Sequence, residues 1–478
     1  AADTENNNLA IGEAALGVCN GGGEFNIAIG KSSLDALTSG DYNTVLGYNA
    51  GGVLTTGVRN VIIGSNAGDS MVEGSSNVIV GDEALGGGAF TASEAVIIGR
   101  NAGHDLTSAT GTTLIGFEAG LNQTTGNGNT VLGHKAVGAG VLTGANNVVI
   151  GKLAGFDMTS GDANVIIGED AGANITTADA NVIIGQGAGE TLTTGTYNIY
   201  IGVNAGNGHD AEGSNIGIGF DALGGSIVAG GENNVALGIY ALDALTSGDY
   251  NNAIGYQALT NLTTGAQNVA MGRLAGDAVT DETQSVYIGH GAGDDYTGSQ
   301  AVMLGALTRN HSDGNDEANA ICIGYNVNTG RANQVHLGNT SITAIKGQVS
   351  FSTYSDQRIK KDIVDTDLGL EFVNKLKPKK FKRKDPEEYA DLFGEANKTP
   401  IKDDEKENVF DGLIAQEVEA VCNELGVSFS GHEVSTSQGN KQSIQYETLT
   451  IPLIKAVQEL SATVTTLQQE IKILKEGL

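Results

Sequence analysis

The chain has no tryptophan, four prolines and three cysteines in 478 residues, and aromatic side chains make up only 5% of it. At ~100–200 residues per domain the length alone suggests roughly three domains, but so few aromatics argue against three ordinary globular cores. Cys19, Cys322 and Cys422 are too few and too scattered for a disulfide framework or a zinc site. They read as small buried apolar residues. Basic residues are also scarce: 26 Lys and Arg stand against 56 Asp and Glu, a net charge of −30. Such a surface repels phosphate backbones, so no nucleic acid is expected as a partner. Apolar runs are short, Val61-Ile62-Ile63 being typical, far from the ~20 residues a membrane helix needs. No membrane insertion is expected, and no basic-then-apolar signal segment opens the chain. The seven histidines show no paired spacing and the acids do not form a calcium-binding repeat, so neither a metal nor a cofactor is expected.

What the chain has is glycine. Residues 1–350 hold 64 of the 71 glycines, no proline, 9 basic and 33 acidic residues. Residues 351–478 hold all four prolines, 17 basic and 23 acidic residues. Collagen is excluded, because glycine does not recur every third residue. Regularly placed Val/Ile clusters argue against disorder.

An apolar–Gly dipeptide recurs twenty times between Gly12 and Gly338, and twelve of the nineteen steps are 17 residues. Asn stands four residues before that glycine in fourteen cases, such as Asn60, Asn77, Asn164 and Asn181. Ala stands three after it in sixteen, such as Ala67, Ala102 and Ala171. A polar turn follows, as in Leu54-Thr55-Thr56-Gly57. The β-branched triplet favours a strand, and glycine permits the corner after it. Two glycines per coil interrupt any helical pattern. A coil this short cannot bury its own apolar side and must stack on its neighbours. The expectation is a β-solenoid shaft over 1–340, very roughly 95 Å long at ~4.8 Å per coil, with an amide ladder of asparagines along one corner.

Successive strand residues point to opposite sides, and here both sides are apolar: Val61 and Ile63 on one, Ile62 on the other. One set fills the coil. The other calls for a neighbouring subunit around a symmetry axis. The middle residue is assigned to that contact, so an aspartate at Ile166 is expected to bury a charge between chains. The pattern resembles the head repeats of trimeric autotransporter adhesins, which also close a short apolar strand with Ile-Gly and a following Ala. That resemblance implies three chains.

After Gly338 the period stops. Residues 341–354 read as a transition, with β character over Ser341–Ser352. Then come Tyr354-Ser355-Asp356-Gln357-Arg358-Ile359-Lys360-Lys361, Leu376-Lys377-Pro378, Gly412-Leu413-Ile414-Ala415-Gln416-Glu417-Val418 and Tyr446-Glu447-Thr448-Leu449. This ordered set resembles the intramolecular chaperone autocleaving domain of phage tail spikes and fibres, of the endosialidase type, over residues 355–478. The resemblance implies an α+β chaperone that trimerises the chain, starts the upstream solenoid and cuts itself off. It places the cut between Tyr354 and Ser355, with Ser355 as nucleophile and Lys360 as its base. The residues alone carry this weakly, since a Ser with a Lys five residues on arises often by chance. Ser needs a base, and Lys serves only when burial or a cationic neighbour lowers its pKa; Arg358 and Lys361 supply charge nearby.

Leu453, Val457, Leu460, Val464, Leu467, Ile471 and Leu474 step alternately by 4 and 3, the seam of a coiled coil over 453–476. The basic run Lys375–Lys384 has the charge of a nucleic-acid patch, but reads rather as a solvated strand face, or as a complement to the acidic shaft.

The reading is a mostly β chain: a homotrimeric solenoid shaft with an α+β chaperone ending in a trimeric coiled coil. Its function is that of a virion tail fibre or spike for host attachment, assembled in the host cytoplasm. Its expected partners are two further copies of itself, other virion tail proteins, and a host-surface glycan or protein receptor. Its chemistry is one self-cleavage. The alternative is a cell-surface adhesin or ice-binding solenoid without cleavage, in which Thr pairs such as Thr55-Thr56 and Thr193-Thr194 form hydroxyl rows; Thr-Thr-Gly is also ordinary turn chemistry. A third reading adds a polysaccharide-degrading site formed between chains.

Overall fold

A computed structural model of the chain describes residues 7–18, 22–225, 230–295, 298–310, 318–329, 332–339, 341–342, 344–346, 348, 355–385, 388, 406–435 and 441–477. It divides into two compact units, one carrying the repeats and the other the C-terminal segment.

The repeats form a parallel sheet of 20 short strands. Neighbouring coils stack in strict register: Val61 faces Val78, Ile62 faces Ile79 and Ile63 faces Val80. Corner glycines make this stacking possible. Gly64 has φ +140°, and a Cβ there would lie 2.2 Å from the Gly81 carbonyl oxygen of the next coil. The turn glycine Gly57 faces the same obstacle, 2.1 Å from the Gly74 oxygen. The corner column is glycine in coil after coil for this reason, whereas the turn column also accepts Ala92, Ala178, Glu212 and Glu282.

The interior is filled by the middle strand residue. Ile62, Ile79, Ile97, Val149, Ile166 and Ile183 are fully buried within one chain, whereas their flanking residues, such as Val165 and Ile167, are half-buried. The expected assignment is therefore reversed: Ile166 packs inside its own coil, and Val165 and Ile167 are the apolar pair that faces outward.

Interior volume is balanced within most coils. A large middle residue is usually followed by glycine at the second inner position, as in Ile62 with Gly68 and Ile166 with Gly172. A small one is usually followed by leucine, as in Ala28 with Leu34, Ala236 with Leu242 and Ala253 with Leu259, all fully buried; Ile79 with Leu85 and Ala270 with Gly276 depart from this. These leucines accept a left-handed backbone (Leu259 has φ 50°), a conformation that costs a non-glycine residue roughly 1–2 kcal/mol. Filling the coil outweighs that strain.

The asparagine ladder is present, interrupted at Ala95 and Thr112, and Asn60 shows its full set of bonds. Asn60 donates from its backbone N–H and its Nδ2 to Asn43 Oδ1, both at 3.0 Å, and from Nδ2 to the Gly74 carbonyl at 2.9 Å. Its own Oδ1 accepts the same pair of donors from Asn77. The Thr pairs divide their work. Thr55, Thr176 and Thr263 each donate their hydroxyl to a carbonyl of the next coil, at 3.0, 3.1 and 2.8 Å. Only the second member, such as Thr56 or Thr177, is exposed. This is turn chemistry, as the bland reading of these pairs has it.

In the C-terminal unit, helices Leu370–Lys375, Ala415–Leu425 and Thr450–Glu476 accompany two antiparallel pairs, Lys379–Phe381 with Phe410–Gly412 and His432–Ser435 with Lys441–Ile444. Leu368, Phe372, Val418, Val421, Cys422 and Phe429 form its small core. Cys322 and Cys422 are free and buried, and Cys19 lies outside the described residues. The described part of Ser341–Ser352 contains no strand. The basic run is partly neutralised inside its own unit: Lys375 pairs with Glu424 at 2.6 Å, Lys379 with Glu417 at 3.5 Å, and Lys382 with Glu407. Every residue of the seam Leu453–Leu474 is exposed, while Pro452 and Ala456 on another face of that helix are buried.

Candidate active site

The segment around Ser355 is shaped by one carboxylate. Asp356 caps the 3-10 turn Gln357–Ile359, accepting from the Arg358 backbone N–H at 2.9 Å and from its Nε at 3.0 Å. The turn closes with the Lys360 N–H donating to the Gln357 carbonyl at 3.2 Å. That reversal returns the chain beside its own start, and Lys360 Nζ donates to Ser355 Oγ at 2.7 Å. The structure thus brings together the two side chains named from the sequence. Tyr354 lies outside the described residues.

The electrostatics differ from expectation. Arg358 is bound to Asp356, whose carboxyl it holds below the usual range, so its charge is neutralised locally. Lys361 lies 3.9 Å from Asp362. Neither cation is left to act on Lys360. Lys360 makes no ion pair among the described residues, and its Nζ contact is Ser355 Oγ. Sequence reasoning missed Asp356; an Asp two residues before an Arg at the start of a turn was the available signal. Ser355 and Lys360 are both exposed, and the ammonium here donates. A base must accept, which requires burial or a like charge to disfavour the protonated form.

The other motifs of the segment meet in one place. The Leu413 N–H donates to Tyr446 Oη at 2.8 Å, tying Gly412–Val418 to Tyr446–Leu449. Glu459 on the long helix accepts from the Leu370 N–H at 2.7 Å, capping the first helix. Among the described residues, no cluster could hold a metal ion and no helix is long and apolar enough to cross a membrane.

Residues 355–427 match the family model for the chaperone of endosialidase. This stretch of the C-terminal segment is similar to the chaperone of endosialidase, and with the solenoid upstream it fits a tail-fibre, endosialidase-type protein with a C-terminal chaperone. No curated protein and no solved structure matches the chain.

Proposed function

We propose that this is a homotrimeric virion tail fibre or spike that attaches to a host surface. Its chaperone domain joins three chains, starts the solenoid and then cuts itself away before Ser355. The observation that carries the reading is the chaperone-of-endosialidase match beginning at Ser355, the residue whose Oγ is 2.7 Å from Lys360 Nζ. Two apolar surfaces support the oligomer: the outward strand residues of the shaft and the exposed seam of the last helix. Joining three helices raises the local concentration of shaft chains and sets their register.

In the cleavage step, Ser355 Oγ attacks the carbonyl carbon before it and Lys360 takes its proton. The peptide C–N bond breaks as that proton passes to the leaving Ser355 nitrogen. Water then hydrolyses the ester, leaving a carboxylate on the shaft and a free amine on the released domain. Assembly that covers the dyad would supply the burial Lys360 lacks in a single chain.

The test is mass spectrometry and native electrophoresis of the expressed chain. Wild type should yield a trimer of residues ending at 354 and a fragment starting at Ser355. Ser355→Ala, Lys360→Ala and Lys360→Arg should give uncut trimers, since guanidinium cannot serve as the base. A wild-type chain that stays whole after assembly refutes the cleavage. A soluble monomeric shaft refutes the trimer.

A further inference from the structure

The position just after the strand-ending glycine forms its own column along the shaft. Over five successive coils it holds Phe220, Ile239, Tyr256, Arg273 and His290, and Tyr240, one residue beyond the column, bridges the rings on either side of Ile239. Phe220 meets Tyr240 with centroids 5.4 Å apart and planes at 85°. Tyr240 meets Tyr256 at 6.4 Å and 80°. The Arg273 guanidinium lies 5.7 Å from the Tyr256 centroid and 3.0 Å, through Nη1, from His290 Nε2. Phe220, Tyr256, Arg273 and His290 are exposed, and Ile239 between them is 45% exposed. Four coil steps span roughly 19 Å, the reach of several sugar rings.

Arg273, like Arg59 and Arg100, is a shaft cation that sits over a ring and not in an ion pair. Lys31, Lys135, Lys152 and Arg309 of the shaft each face a carboxylate. Arg273 makes no ion pair among the described residues, although residues 1–350 hold 33 acids against 9 basic groups. It packs on a ring instead. Its Nη1 also donates to His290 Nε2. The same residue types recur in a shorter stack, Arg100 over Phe117 at 5.5 Å and Phe117 against His134 at 5.2 Å, without the further rings.

We propose that the Phe220–His290 run binds a sparsely acidic polysaccharide, in which a carboxylated sugar stands among neutral ones. The rings offer flat apolar faces to sugar C–H groups. Arg273 takes the carboxylate through two parallel N–H donors. A uniformly charged polymer would be repelled by the acidic shaft, and one free guanidinium matches one acid per several sugars. Nucleic acid, with a charge on every unit, fails the same condition. The inference rests on the host-attachment reading and gives it a ligand class and a place.

The experiment uses the full-length chain and gellan fragments, which carry one glucuronate in four sugars, with carboxyl-reduced gellan fragments as the neutral probe, read by calorimetry. Wild type should bind the acidic fragments at least tenfold more tightly than the neutral ones. Arg273→Gln should abolish that difference, and Tyr256→Ala should weaken both probes. No binding by wild type, or equal binding by wild type and Arg273→Gln, overturns the proposal. So does a change of sedimentation in either variant, which would make the run a subunit contact. Labelled fibre that adheres to host cells equally with and without Arg273→Gln would overturn the platform and leave host attachment standing.

Discussion

Replacing Asn164 by alanine isolates what the buried ladder contributes to the shaft. Asn164 Nδ2 donates to Asn147 Oδ1 at 3.1 Å and to the Ala178 carbonyl at 2.7 Å. Its Oδ1 accepts from the Asn181 N–H at 3.0 Å and from Asn181 Nδ2 at 3.1 Å. After Asn164→Ala, Asn147 Oδ1 keeps the backbone N–H of residue 164, and Asn181 Nδ2 keeps the Gly195 carbonyl. Two groups lose the bond the ladder gave them: the Ala178 carbonyl and the Asn181 N–H. At about 1–3 kcal/mol for each buried unsatisfied group, the loss centres near 4 kcal/mol. It falls towards 2 kcal/mol if water enters the space. Because an assembled fibre unfolds irreversibly, the assay is native-state hydrogen exchange of the Asn181 amide, with distant coils as internal reference. At tenfold per 1.4 kcal/mol, local opening should increase by about 30- to 700-fold while coils near residue 45 are unchanged. Equal exchange in variant and wild type would refute the claim that the ladder stabilises the coil. Uniform acceleration everywhere would refute the claim that its effect is local.

Ala253→Ile should overpack its coil by about 1–3 kcal/mol. Adding Leu259→Gly should recover most of that, since the double variant recreates the Ile166–Gly172 pair; additive losses in a double-mutant cycle would refute the volume balance. His209 is buried, with Nδ1 2.9 Å from Tyr200 Oη and the Asn215 amide and Glu212 carboxylate nearby, and burial lowers its pKa from 6.5 to about 3. The folded imidazole stays neutral while the unfolded one binds a proton below about pH 6.5. Stability is therefore lost as pH falls from about 6.5 towards 3, at up to ~1.4 kcal/mol per pH unit. His209→Leu should flatten that slope in denaturation rates measured between pH 6.5 and 4; an unchanged slope refutes the assignment. Ile166→Asp should disrupt its coil even in an isolated chain, because the residue is fully buried there. Ile167→Asp should leave the coil folded and change sedimentation alone; equal circular dichroism losses in both would refute the inward–outward assignment.

The shaft was legible because its constraints repeat. A glycine that must be glycine in coil after coil leaves a period in the sequence, and the 17-residue spacing followed from Gly64, Gly81 and their equivalents. The direction of the triplet was not legible. Val-Ile-Ile is apolar on both sides, so periodicity alone does not say which side faces inward, and Ile166 was placed on the wrong one. The second inner position was missed for a related reason. Leu34, Leu242 and Leu259 fill space left by an alanine six residues earlier, and volume balance across a coil leaves no periodic mark. The corner run from Phe220 to His290 was invisible too, since its members lie 16 to 20 residues apart and read singly as scattered surface residues.

The dyad shows the opposite limit. Ser355 and Lys360 were named through resemblance, and the turn capped by Asp356 supplies the local reason they meet. Proximity is only half of the chemistry, because a lysine that donates to a serine on an exposed turn is not yet its base. Arg358, expected to lower the lysine's proton affinity, instead engages Asp356, and Lys360 makes no ion pair among the described residues. That arrangement keeps Nζ on Oγ and leaves a single missing ingredient, exclusion of water. If the seam Leu453–Leu474 and the outward strand residues bring three chains together, cleavage becomes conditional on that event. A nucleophile and base already in contact, but solvated, would then fire after assembly and not before. A chain carrying charged substitutions at Leu460 and Leu467 should accordingly keep the Ser355–Lys360 turn and fail to cut. Cleavage by such a chain while it sediments as a monomer would show that the dyad needs no further burial.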